Sequence, residues 1–188
     1  MKMFMFLFTT LVLSCAECST FVVTDFGAVG DARTDDSASI SRALAAAANA
    51  PPSVVVFPAG LIFLSGPLNL SNSMTLQVDG TLRAISGNNT DTGLAYIRDG
   101  GWPQIPPLPS YGDSRDGPYL QYQAFLYATG VTDVVINGSG TIDGQGDWWW
   151  ANQRNRSVVR AGRPNLVQFV NVSLATLTQR NPVATYLA

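Results

Sequence analysis

The residues able to do acid–base or recognition chemistry in this sequence fall into a few groups. Asp35 and Asp36 are adjacent, Asp113 and Asp116 lie three apart, and Asp143 and Asp147 bracket Gly144-Gln145-Gly146. Paired carboxylates are what general acid–base hydrolysis needs, one protonated and one ionised. Trp102, Tyr111 and Tyr119 are rings that could stack on sugar faces, with Arg115 available to bind a carboxylate. Arg154, Arg156, Arg160 and Arg163 fall within ten residues of an otherwise acidic protein. Guanidinium groups capture anionic polymers through charge-assisted, bidentate bonds to carboxylates. The chain has no histidine, which removes His triads, His metal sites and His general bases.

Each group also has a plainer structural reading. Thr34-Asp35-Asp36 can supply N-cap oxygens and negative charge to a helix, and Asp143 before Gly144 is an Asx-turn former. The aromatics can pin a loop to its scaffold, and an arginine run can be a solvated face. Asp147-Trp148-Trp149-Trp150 carries three adjacent indoles that cannot share one face, so at least one must pack and one is free to be exposed. Arg154 and Arg156 with Trp102, Tyr111 and Arg115 are the candidate substrate contacts.

The elements that must position these groups read as short strands broken by turns. Asp133 to Gly146 holds Val134–Ile136 and Thr141–Ile142, separated by Asn137-Gly138-Ser139-Gly140 and followed by Asp143-Gly144. Asn-Gly and Asp-Gly are turn dipeptides. Strands this short are not stable as isolated hairpins but suit a coil whose turns stack. Val54–Phe57 before Pro58-Ala59-Gly60, Thr75–Val78 before Asp79-Gly80-Thr81-Leu82, and Leu166–Phe169 before Asn171 echo the unit. The spacing predicts one turn from Val54 to Leu76 and another, with an insertion, from Val134 to Leu166. Phe21–Ala28 reads as a strand entering a turn. Ile40, Ala43, Leu44 and Ala47 then predict a helix, stopped by Asn49 and Pro51-Pro52 and placed to cover the first coil. Ser86–Gly117, rich in Gly and Pro, breaks the rhythm as a long functional or pinned loop.

Composition narrows the class. Across 188 residues, 46% apolar suits a folded core, and a charge of −2 carries no nucleic-acid footprint. Residues 1–19 read as a signal peptide, with Lys2, an apolar run from Met3 to Leu13, and small-residue cleavage patterns after Ala16 or Cys18. That run is shorter than a membrane span, and Cys15 and Cys18 fall inside the expected signal peptide rather than in a redox or zinc site. Residues 20–188 then form one domain or the N-terminal portion of one, secreted and extracellular, with no membrane partner after cleavage. Of five Asn-x-Ser/Thr sequons, Asn88 and Asn155 are the expected glycan sites, and Asn137 and Asn171 are expected to serve turns.

Several motifs together resemble one family. Thr24-Asp25-Phe26-Gly27-Ala28, Gly30-Asp31 and Thr34-Asp35-Asp36 before an alanine-rich helix are similar to the start of plant-type polygalacturonases. So are Val55–Gly60, Val78–Leu82, Asn137–Gly146 with Trp148-Trp149, and Arg163-Pro164 before an aliphatic strand. The resemblance covers nearly all of the expected mature chain. It implies a mainly β fold, a right-handed parallel β-helix with an N-terminal capping helix, truncated on its C-terminal side. It also implies location in the cell wall, inverting hydrolysis of α-1,4-galacturonan in pectin, and no metal or organic cofactor. None of the family's Asn-Thr-Asp, Asp-Asp, Gly-His-Gly and Arg-x-Lys motifs occurs here in its place, so no catalytic residue carries over and the chain alone is expected to be inactive. The sequence also departs from the family at Arg180-Asn181-Pro182. The competing reading is a non-catalytic binder of acidic polysaccharide. A calcium-dependent lyase would need a carboxylate cluster that the sequence lacks.

Overall fold

The computed structural model describes residues 18–89, 93–106, 120–155 and 159–179. The expected signal peptide up to residue 17, together with Tyr111, Asp113, Arg115, Asp116, Tyr119, Arg156 and the departure at Arg180, lies outside the described residues. The chain begins with β1 (Ser19–Val22), a 3-10 turn (Val23–Phe26), β2 (Asp31–Asp35) and α1 (Ser37–Ala48). There follow β3 (Ser53–Phe57), β4 (Ile62–Ser65), β5 (Leu68–Asn69), β6 (Met74–Val78) and β7 (Thr81–Ala84). A first excursion holds α2 (Gly93–Arg98), β8 (Gln104–Ile105) and β9 (Gln121–Tyr122), before β10 (Leu126–Thr129). Then come β11 (Thr132–Gly138), β12 (Thr141–Asp143), α3 (Gly146–Asn152), β13 (Val167–Val170) and β14 (Ser173–Gln179).

The strands assort into three parallel sheets that form the sides of a coil. The first runs β1-β3-β6-β11-β14, the second β12-β7-β4-β2 and the third β13-β10-β5. Among the described strands the antiparallel pairing is β8 with β9, inside the first excursion. Val54 lies opposite Thr75, a repeat of 21 residues, so the uninterrupted coil matches the expected Val54–Leu76 turn. The expected Val134–Leu166 turn is corrected. Val134 pairs with Ala175, while Val167 pairs with Leu126 on another side. The strand after Leu166 is therefore the third side of the coil, which closes only at β14.

Register explains the interior. Val55, Leu76, Ile136 and Leu177 fall in one column across the first sheet. Phe63, Leu82 and Ile142 form a second column, and Leu68, Leu126 and Val167 a third. Residues 55, 76, 136, 63, 82, 142, 68 and 126 are buried. Each such side chain contributes about 1.5–3 kcal/mol relative to leaving it in water, and its cover is supplied by the coils above and below. The repeated Gly-Thr-aliphatic unit marks the corner between the first and second sheets. A Cβ on Gly140 would collide with the carbonyl oxygen of Gly80 in the coil beneath, so the close approach of two backbones requires glycine.

The cover at one end is α1, as the periodicity predicts. Ile40, Ala43, Leu44 and Ala47 are its buried residues, packed against the first coil. Its cap differs in detail. Asp35, not Asp36, accepts from the Ser37 N–H at the helix start. Asp36 turns inward, 1% exposed, and accepts from the Val29 and Gly30 N–H groups at 2.7 and 3.1 Å. β2 was not legible as a strand, because Asp31-Ala32-Arg33-Thr34-Asp35 has no alternation and its register shifts around Ala32 at φ 65°.

Candidate functional site

Both excursions leave the coil at the same corner, between the second and third sheets, and they pack on each other. Trp148 and Trp149 of α3 are buried, and Trp149 makes ring contacts with Trp102, Tyr122 and Trp148 at centroid distances of 5.2, 5.3 and 4.9 Å. Trp102 is 1% exposed, and its indole N–H donates to the Gln123 carbonyl at 2.8 Å. Trp102 therefore pins the loop and cannot be a sugar-stacking face, which corrects that expectation. Backbone bonds join the excursions as well: Tyr122 N–H donates to Gly162 and Gly162 N–H to Leu120, both at about 2.9 Å.

Among the described residues, two grooves elsewhere include a carboxylate in their linings. One, of about 210 Å³, is lined by Arg33, Asp35, Asn89 and Tyr96 with Leu64 and Ile85. Burial pushes the Tyr96 phenol up, opposed by its bond with Ser37. The other, of about 330 Å³, is lined by Gln77, Asp79, Asn137, Ser139 and Thr178. Each groove holds one carboxylate, whereas glycoside hydrolysis of the two-carboxylate type needs an opposed pair.

The described carboxylates are largely committed to structure. Asp79 accepts from Gln77 Nε2 at 2.6 Å and from the Ser139 N–H and hydroxyl at 3.0 Å. The Gln77 bond first, and then the Ser139 N–H, hold its carboxyl below the usual range. Asp31 is likewise lowered by the N–H groups of Thr34 and Arg33, in its own turn. Burial raises Asp36, but both its oxygens serve the 29–30 turn. Asp143 accepts from the Gln145 N–H at 3.0 Å, the expected Asx turn, and pairs with Arg83 in the adjacent coil at 2.9 Å.

Of the remaining candidates, Arg154 and the sequon residues Asn88 and Asn155 are exposed. Asn137 lies within β11, paired with Gln77 and Thr178, and its buried Oδ1 accepts no hydrogen bond among the described residues, which corrects its expected turn role; Asn171 sits in the left-handed region at φ 51°. Trp150 and Arg163 were missed as a pair. The Arg163 guanidinium lies 3.5 Å from the centre of the Trp150 ring, and Trp150 is 48% exposed. The Trp-Trp-Trp run signalled an exposed indole, but nothing in the sequence tied it to an arginine thirteen residues on.

Comparison with known proteins agrees with this coil. Residues 20–101 match the family model "Rhamnogalacturonase A/epimerase, pectate lyase-like". A probable polygalacturonase of Vitis vinifera is 32% identical over 177 residues, 90% of this chain and 33% of that protein. A probable polygalacturonase of Arabidopsis thaliana is 31% identical over 140 residues, 71% of this chain and 25% of that protein. Among solved structures, an exopolygalacturonase from Thermotoga maritima superposes with a TM-score of 0.56 at 24% identity, covering 81% of this chain and 39% of that one. A polygalacturonase from Erwinia carotovora gives 0.53 at 25% identity, covering 86% and 40%. The chain thus spans 33% and 25% of the lengths of these two plant relatives. In sequence and in coil alike, the chain is similar to polygalacturonases, and its fold is a right-handed parallel β-helix.

Proposed function

We propose that this chain provides coils of a secreted glycoside hydrolase acting on the galacturonan of pectin in the cell wall, with inversion at the cleaved bond. The observation that carries the reading is the 32% identity to a plant polygalacturonase over 90% of the chain. The stacking of parallel strands in register from coil to coil supports it, as does the arginine-rich segment after Asp147, suited to a polyanion. The exposed asparagines Asn88 and Asn155, each opening a sequon, agree with passage through a secretory route.

The 188 residues by themselves are proposed not to cleave. Among the described residues Asp36, Asp79 and Asp143 are bonded within the fold, and neither polar groove sets two carboxylates across from one another. Purified chain incubated with polygalacturonate is expected to release no reducing ends above a buffer control. Turnover that persists through repurification and disappears in a variant of one of its own aspartates overturns that part of the reading.

The second reading, a binder of acidic polysaccharide, is favoured by the committed carboxylates combined with the exposed Arg154 and Trp150. Retention on pectate that weakens with salt, without hydrolysis, selects it, because exposed charge contacts are screened.

A further inference from the structure

α3 is short, and its direction is fixed by two buried indoles. Successive helical residues are separated by about 100° around the axis. With Trp148 and Trp149 turned inward at 7% and 0% exposure, the next residue must face out. Trp150 does so, at 48% exposure, although its apolar ring would be expected to find cover. One side of that ring is taken by the Arg163 guanidinium at 3.5 Å. The cation restrains the indole while much of its surface stays in solvent.

The sequence that follows Trp150 carries charge of one sign. All 13 acidic residues of the chain precede Trp148, whereas Arg154, Arg156, Arg160, Arg163 and Arg180 follow it. Arg154 lies one turn beyond Trp150 and is exposed, as is Arg160. Asp147, exposed one turn before Trp150, disfavours a negative group at that end and directs it toward the arginines. A flat apolar ring bordered by guanidinium groups matches a sugar ring carrying a carboxylate: C–H face on the indole, carboxylate on the cations.

We propose that Trp150, stacked by Arg163, is a binding platform for a uronate residue of an acidic polysaccharide. The proposal rests on the pectic reading given above and names a contact within it. The platform holds polymer and is assigned no step in bond cleavage.

The test is retention of the whole chain on immobilised polygalacturonate, with neutral galactan as the comparison matrix. Trp150→Ala is expected to weaken retention roughly 5- to 20-fold, in the range of an aromatic anchor truncation. Trp150→Phe should keep most of it, and Arg163→Met should weaken binding to polygalacturonate more than binding to galactan. The thermal midpoint of each variant identifies any loss that is merely unfolding, and Trp150→Phe keeps the test valid if the alanine variant is unstable. If wild type binds polygalacturonate and a folded Trp150→Ala binds it equally, the platform is overturned and the pectic reading stands. Absence of wild-type retention overturns the platform together with the polysaccharide-binder reading, whereas the pectic hydrolase reading rests on the sequence identity.

Discussion

Asp79 joins two coils through one carboxylate, and its protonation can be followed. Its folded pKa lies below the ordinary value of 3.8, held there by Gln77 and then by the Ser139 N–H. Between the folded value and 3.8 the unfolded chain binds the proton and the folded chain does not, so stability rises with pH across that window. The contribution is fully present above about pH 4 and is lost as acid takes pH down through the folded pKa. Asp79→Asn is therefore expected to flatten the fall in urea midpoint between about pH 4 and pH 2, while lowering the midpoint at neutral pH. An unchanged acid slope removes Asp79 from the account. Asp36 has the opposite sign: burial raises it, so it favours the folded state less as pH climbs past 3.8. Neither behaviour was legible in the sequence. Asp36 reads as a helix cap because it stands where a cap should, and only the folded 29–30 turn draws its side chain away.

Elements were legible where a local rule and the coil agreed. β3, β6, β11 and α1 follow from aliphatic runs, turn dipeptides and a 3.6-residue period. β5, β8 and β9 are two residues each, too short to carry a period, and exist because a neighbouring backbone offers the pairing. The Gly-Thr-aliphatic corner was visible as a repeat but not as a constraint. Gly140→Ala is expected to lower stability by roughly 1–3 kcal/mol, since the added methyl meets backbone of the coil beneath and cannot be relieved by a rotamer change. Gly162→Ala, whose nearest neighbour would be the Gln121 Cβ at 3.2 Å, should cost distinctly less. Equal denaturation midpoints for the two variants would contradict the corner argument.

At the scale of the molecule, the interior columns do not end alike. α1 seals one end, but Leu177, next in the column after Ile136, is 59% exposed, and Leu174 is 70% exposed. Among the described strands β14 is also the outermost of its sheet, an edge able to pair with another chain. The 188-residue chain is expected to self-associate at micromolar concentration, and Leu174→Lys with Leu177→Lys to shift it toward monomer in sedimentation velocity. A wild type that sediments as a monomer and melts sharply counts against this. The candidate site was the least legible level. Trp150 and Arg163 are brought together by the return of the chain to the third sheet, which depends on where a long insertion re-enters the coil.

The corner where the two excursions meet has a mechanical consequence. Trp102 and Tyr122 from one and Trp149 from the other share a single wedge of rings, and main-chain bonds lace the same seam. Segments dozens of residues apart along the polypeptide are thereby yoked, so loosening either tilts the ledge on which Trp150 stands. Grip on a polymer would then report the integrity of both segments at once, not of the nearer one alone.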